Sequence, residues 1–188
     1  IGVRLVGSEM CIRDSLLRRL QEISELKVLL TAYHALFLST INYSILIWGH
    51  SCQAKEVFAC QRKALRALLR LKYRDDVKGY FIELELLTLP CIYIYKCLLY
   101  VKQHNNTYEI SGNTHTHNTR INCNLQVAYT RLNKTRFSFN YYGPLFFNKI
   151  NLETRNLNFN VFKSKIFKFL VNKAYYDISE FLDDSQII

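Results

Sequence analysis

Two stretches of this 188-residue chain have the form of a two-metal phosphoryl-transfer site, Tyr73-Arg-Asp-Asp76 and Phe181-Leu-Asp-Asp184. Such chemistry holds two divalent ions about 3.5–4 Å apart, with carboxylates supplied by separate strands. Neither stretch meets that need. Asp75 and Asp76 follow a leucine- and arginine-rich helical pattern, and Asp183 and Asp184 fall in the last residues. Upstream of Asp75 the only other aspartate is Asp14, and no alternating strand pattern flanks either pair. Both read as polar turns, with no catalytic residue and no metal ligand. His104, His115, His117 and Cys123 match no zinc-finger or knuckle spacing. No Ser-His-Asp order, glycine-rich phosphate loop or pair of general-acid carboxylates suggests another enzyme.

The basic residues are better placed for chemistry of another kind. Arg62, Arg66, Arg70 and Arg74 recur every four residues, with Lys63 and Lys72 at the margins. On a helix this makes one slowly drifting cationic stripe. Like charges on one ridge repel, phosphate oxygens relieve that, and arginine suits bidentate phosphate contact. The stripe is the first candidate nucleic-acid contact; a solvated helix face is the plain alternative. A second candidate is Arg120, Arg131, Lys134 and Arg136, interleaved with Tyr129, Phe137 and Phe139, a mixture that can follow a backbone and stack bases. Lys163, Lys165 and Lys168 read as a solvated face.

The elements that must carry these residues are helical. Leu26, Leu29, Leu30, Tyr33, Phe37 and Ile41 predict a helix from Ser24 to about Trp48, with Gly49 as its stop. Residues 54–72 predict a second, with Val57, Cys60, Ala64, Leu65, Leu68 and Leu69 inward. Phe81 to Leu87 is short helix or extended chain, and Pro90 suits the first turn of a helix over 90–104. Residues 105–124, rich in Asn and Thr, read as a long loop, and 125–142 as an arm. Gly143 to Ile150 predicts a short helix. Residues 159–173 predict an amphipathic one with Val161, Phe162, Ile166, Phe169 and Leu170 inward, and Ser179 to Leu182 a last turn. Trp48 and Cys60 are expected in the core. The expected fold class is all-α, an irregular bundle of about three main helices plus a polar loop and a C-terminal amphipathic helix.

Composition agrees with a folded, basic chain. Apolar residues make up 49% and aromatic residues 14%, which argues against disorder. The net charge of +10 favours a polyanionic partner, nucleic acid before a membrane surface. Residues 29–48 are apolar enough to suggest a membrane span, but His34, Ser39, Thr40, Asn42 and Ser44 are costly in lipid. Cys11 aside, the cysteines are odd in number, with no C-x-x-C pair, as in reduced thiols of an intracellular protein. Leu5-Val-Gly-Ser-Glu-Met-Cys-Ile-Arg-Asp-Ser15 has no amphipathic logic. It is what one reading frame of a transposase-library sequencing adaptor encodes. Residues 1–15 are therefore expected to be adaptor-derived, and the native chain to extend further upstream.

Six patterns then occur in order: YHALFLSTINYSILIWG at 33–49, CQRKALRALL at 60–69, LELLTLPCIYIYKCLLYVKQH at 84–104, HNTR at 117–120, YYGPLFFNKI at 141–150 and FKSKIFKFL at 162–170. The succession resembles the C-terminal region of reverse transcriptases of jockey-like non-LTR retrotransposons, downstream of the polymerase domain. The family's Leu-Pro after Asn-Lys is replaced here by Ile150-Asn151. The resemblance implies a non-catalytic fragment of an RNA-directed DNA polymerase. Residues 16–104 would be a thumb-like helical extension, 105–141 a loop or arm, and 142–188 a C-terminal helical segment. It implies RNA or an RNA–DNA duplex and the missing upstream polymerase domain as partners, and no membrane. It also implies a nuclear or cytoplasmic setting, and divalent ions such as magnesium for the parent enzyme with no cofactor for this piece. The alternative expectation is a structural module that docks on the polymerase domain and touches no nucleic acid.

Overall fold

The computed structural model describes residues 16–110, 123–127, 131, 138–185 and 187. The adaptor-like N-terminus and the HNTR stretch lie outside the described residues. Helix α1 covers residues 16–23. Helix α2 (Leu26–Tyr33) runs through a π-helical segment (His34–Leu38) into α3 (Ser39–Asn42), followed by α4 (Ile45–Trp48). Then come α5 (Ala54–Leu69), α6 (Lys78–Glu83), α7 (Leu89–Gln103) and a 3-10 turn (Asn105–Thr107). The C-terminal part holds α8 (Phe139–Lys149), α9 (Leu152–Arg155), α10 (Phe159–Lys173) and α11 (Ile178–Asp183). Among the described residues there is no strand, only an isolated antiparallel bridge between Ile110 and Leu125, and the class is all-α.

The helix expected from Ser24 to Trp48 is broken. Leu29, Tyr33, Phe37, Ile41 and Ile45 are all buried, four residues apart. In an α-helix that repeat drifts by about 40° per step. The wider π turn at 34–38 takes up part of the drift and keeps the row facing inward. The path then breaks outright. Tyr43 is extended, Ser44 is left-handed (φ 50°), and the Trp48 indole donates to the freed Tyr43 carbonyl at 2.9 Å. Trp48 is thus half-buried at the core's margin, as is Cys60. Thr31, Thr40 and Asn42 bond back to carbonyls four residues earlier, so Thr40 and Asn42, two of the polar residues costly in lipid, are satisfied within the helix. No helix of the described residues is long and apolar enough to cross a membrane.

Helix α7 is the central element. Leu89 to Ile94, Cys97, Leu98 and Val101 are buried, so it is apolar nearly all round, as an enclosed helix is. Its start is fixed by Thr88, which accepts from the Cys91 amide and donates to the Tyr175 carbonyl, with Pro90 in the first turn. Two glycines allow close approach. A Cβ on Gly49 would lie 2.5 Å from the Tyr93 ring, and one on Gly143 would lie 2.9 Å from Val101. Helix α7 packs most extensively on α8 and also on α10, so residues from Leu17 to Phe181 share one hydrophobic core.

Helix α8 begins at Phe139, four residues before the expected start. Pro144 lies inside it, and the Tyr141 and Tyr142 amides already reach the Ser138 carbonyl. Helix α10 has the expected limits, but Val161 is exposed and Phe169 half-buried. Its buried row is Phe162, Ile166, Leu170 and Val171. Three helices end on left-handed residues that are not glycine: Arg70, Glu85 and Ala174. Glu85 is exposed, and the Leu86 amide closes its turn on the Phe81 carbonyl at 2.8 Å. A left-handed L-residue costs about 1–2 kcal/mol, so Glu85→Gly is expected to raise Tm by about 2–4 °C in a calorimetric scan. An unchanged or lower Tm would count against this geometry.

Candidate nucleic-acid interface

The basic stripe rides on α5, whose inward face is Ala54, Val57, Phe58, Gln61, Ala64, Leu65, Ala67 and Leu68. Gln61 is fully buried. Its amide nitrogen donates to the Tyr33 hydroxyl (3.1 Å) and the Leu87 carbonyl (3.0 Å), and its oxygen accepts from the Leu89 amide (2.8 Å). This fixes the rotation of α5 and puts Arg62 at the edge of the core. The Arg62 guanidinium lies 4.9 Å from the Phe58 ring centroid and 5.6 Å from that of Tyr176, and its buried Nε has no hydrogen-bond partner. The Lys78 ammonium sits 5.5 Å from the same Tyr176 ring. Burial, and then the nearby Asp76 carboxylate, push the Tyr176 hydroxyl up to about 12 against the pull of Arg62 and Arg66.

The stripe is shorter than its spacing suggests. Helix α5 ends at Leu69, not at 72. Arg70 is left-handed (φ 57°), and the Leu71 amide reaches back to the Arg66 carbonyl at 3.0 Å. This closing turn removes Arg70 and Arg74 from the helical ridge. Arg66 Nε donates to the Asp75 carbonyl at 3.0 Å, and Arg70 Nη2 to the Gln21 carbonyl at 2.9 Å. Gln21 in turn donates to the Leu68 carbonyl at 3.2 Å, so α1 is clamped on the end of α5. Three of the four arginines therefore have structural contacts. Lys63, Lys72 and Arg74 are exposed.

Acidic residues absent from the stripe in sequence return to it in space. The Asp75 side chain accepts from the Lys72 amide (2.8 Å) and that of Asp76 from the Lys78 amide (3.1 Å), which makes Tyr73 to Asp76 a closed polar turn. At the other end, Asp184 pairs with Lys173 at 2.7 Å and accepts from the Tyr175 hydroxyl at 2.5 Å. These contacts hold turns and termini together. Among the described residues no cluster of three or more His, Cys, Asp or Glu fits a metal ion.

The second candidate is only partly placed. Arg131 is exposed; Arg120, Lys134, Arg136, Tyr129 and Phe137 lie outside the described residues. Phe139 is committed to packing, edge-on to Tyr100 at 4.7 Å. Two residues that the spacing did not single out hold the chain here. Asn148 both donates to the Leu125 carbonyl and accepts from its amide, each at 2.8 Å. Buried Arg155 donates to the carbonyls of Ile150 (2.7 Å), Asn148 (2.6 Å) and Cys123 (3.3 Å) and to the Asn124 side chain (3.0 Å). Asn148 stands in the YYGPLFFNKI stretch, but nothing around Arg155 marks it as buried.

Comparison of the chain with family models, with curated proteins and with solved structures finds no match. Arg155→Met is expected to cost about 2–3 kcal/mol in urea denaturation, because it strips charged donors from the buried Ile150 carbonyl and the half-buried acceptors around it. Arg155→Lys should recover only part of that. A loss within about 0.5 kcal/mol for the methionine variant would mean that water serves these carbonyls equally well.

Proposed function

We propose that the chain is a non-catalytic helical segment from the C-terminal region of a jockey-like non-LTR retrotransposon reverse transcriptase, and that it grips nucleic acid by its phosphates at the end of α5. The observation that carries the reading is the exposure of Lys63, Arg70, Lys72 and Arg74 around that end, in a chain of net charge +10. Phosphate contacts give affinity without sequence information, so RNA or an RNA–DNA duplex would be held through its backbone. The resemblance supports the family. Several of its quoted residues fall on positions that hold the fold together: Gly49 on Tyr93, Gln61 in the core, Thr88 and Pro90 opening α7, and Gly143 on Val101. The polymerase domain and its divalent ions would belong to the upstream part of the parent protein.

A second reading has its own observation. Ile23, Tyr43 and Ile47 on the α1–α4 stretch are 83%, 79% and 76% exposed, apolar surface that a protein partner would cover. That reading makes the chain a module docked on the polymerase domain with no nucleic-acid contact.

Binding to an RNA–DNA duplex across a salt series separates the two. Lys63→Glu, Lys72→Glu and Arg74→Glu together leave the structural arginines in place. The proposed reading expects the slope of log K against log salt to flatten by about 0.9 for each phosphate contact removed. Equal slopes and affinities for the variant and the parent would leave the docking reading.

A further inference from the structure

Beside the first turns of α5 the surface opens into a cleft of about 650 Å³, within the roughly 300–1,000 Å³ range of small-ligand sites. The 49–55 loop, α5, the start of α7, α8 and the start of α11 form its walls. His50, Tyr142 and Tyr176, all half-buried, and buried Phe58 supply rings. Lys55 lines the cleft as well, and the Tyr176 ring that lines it also carries Arg62 and Lys78. The Lys55 side chain is 82% exposed, and its 3.5 Å pairing with Asp177 is of the surface kind that contributes little. Its ammonium can turn to another anion at small cost.

We infer that this cleft receives an unpaired nucleotide of single-stranded nucleic acid, its base among the rings and its phosphate at the Lys55 rim. The inference rests on the proposed nucleic-acid reading and names a second substrate form for it. Three features favour this occupant. Rings beside cations are what a single strand needs, since every base has a stacking face and every link a charge. A base held in the stack of a duplex cannot enter a recess in the protein surface, so duplex is excluded unless a base leaves its stack. Asp177 accepts from the Ser179 amide at 3.0 Å, which with the Lys55 charge holds its carboxyl below the usual range against the effect of burial. It therefore stays ionised near neutrality, accepts from base N–H groups, and keeps phosphate out of the interior.

The test uses the full chain, octathymidylate and a blunt RNA–DNA duplex. Ser179→Trp blocks the cleft from an exposed position, and Lys55→Glu reverses its rim charge. Each is expected to weaken octathymidylate binding by about tenfold or more, the worth of one stacked base, and to leave the salt slope for duplex unchanged. Cys52, exposed and on the cleft wall, gives a readout independent of the variants. Octathymidylate should slow its alkylation while duplex does not. Unchanged single-strand affinity in both variants, or unprotected Cys52 in the bound state, overturns the inference and leaves the duplex reading standing. A chain that binds neither probe overturns both.

Discussion

The buried carboxamide of Gln61 is the interaction on which the rest depends. Its three hydrogen bonds tie α2 through Tyr33, the approach to α7 through Leu87, and the first amide of α7 through Leu89. A fully satisfied polar group in a dry core specifies one arrangement, because any shift leaves a donor or acceptor unpaired at a cost of about 1–3 kcal/mol each. The Leu89 amide lies in the first turn of α7, where no intrahelical acceptor exists, so a side chain from another helix must supply one. Position 61 thus fixes the rotation of α5 and with it the place of Arg62, one residue on.

From that point the chain is organised around α7. Thr88 joins its start to the Tyr175 carbonyl, and Cys91 and Cys97 pack within it. Burial pushes the Cys91 thiol up to about 12, as befits a core residue with no reactive role. Gly49 and Gly143 bring α4 and α8 against its flanks. The two helical parts on either side of the Asn- and Thr-rich stretch thereby share one core, and Asn148 and Arg155 fasten residues 123–125 to it. The basic surface is a by-product of this arrangement as much as a separate device. Arg66 and Arg70 stabilise the end of α5, Arg62 packs on Phe58 and Tyr176, and the cations around them remain outward.

Helices whose ends are marked by local chemistry were legible in sequence. Pro90 announced α7, and the spacing of Phe162, Ile166 and Leu170 announced α10. Breaks with no marking residue were not. Ser44 and Arg70 are left-handed without being glycine, so no residue type warned of them. Both stops are closed by local bonds five residues apart, Trp48 to Tyr43 and Leu71 to Arg66, made by residue types that carry no stop signal. The arginine stripe was legible as a pattern, but its division into clamps and exposed cations was not, since Asp75 and Gln21 reach it only in three dimensions. Gln61 and Arg155 were missed because a buried polar residue looks like a surface one until its partners are known.

The most direct test of the central role of Gln61 is native-state hydrogen exchange at the Leu89 amide. If Gln61 accepts from it in a dry core, that amide exchanges only by global unfolding, with protection equal to that of mid-α7 amides such as Leu98. Exchange at the fast rate of an unbonded first-turn amide would contradict the account, because Gln61 would then not hold α7 in place.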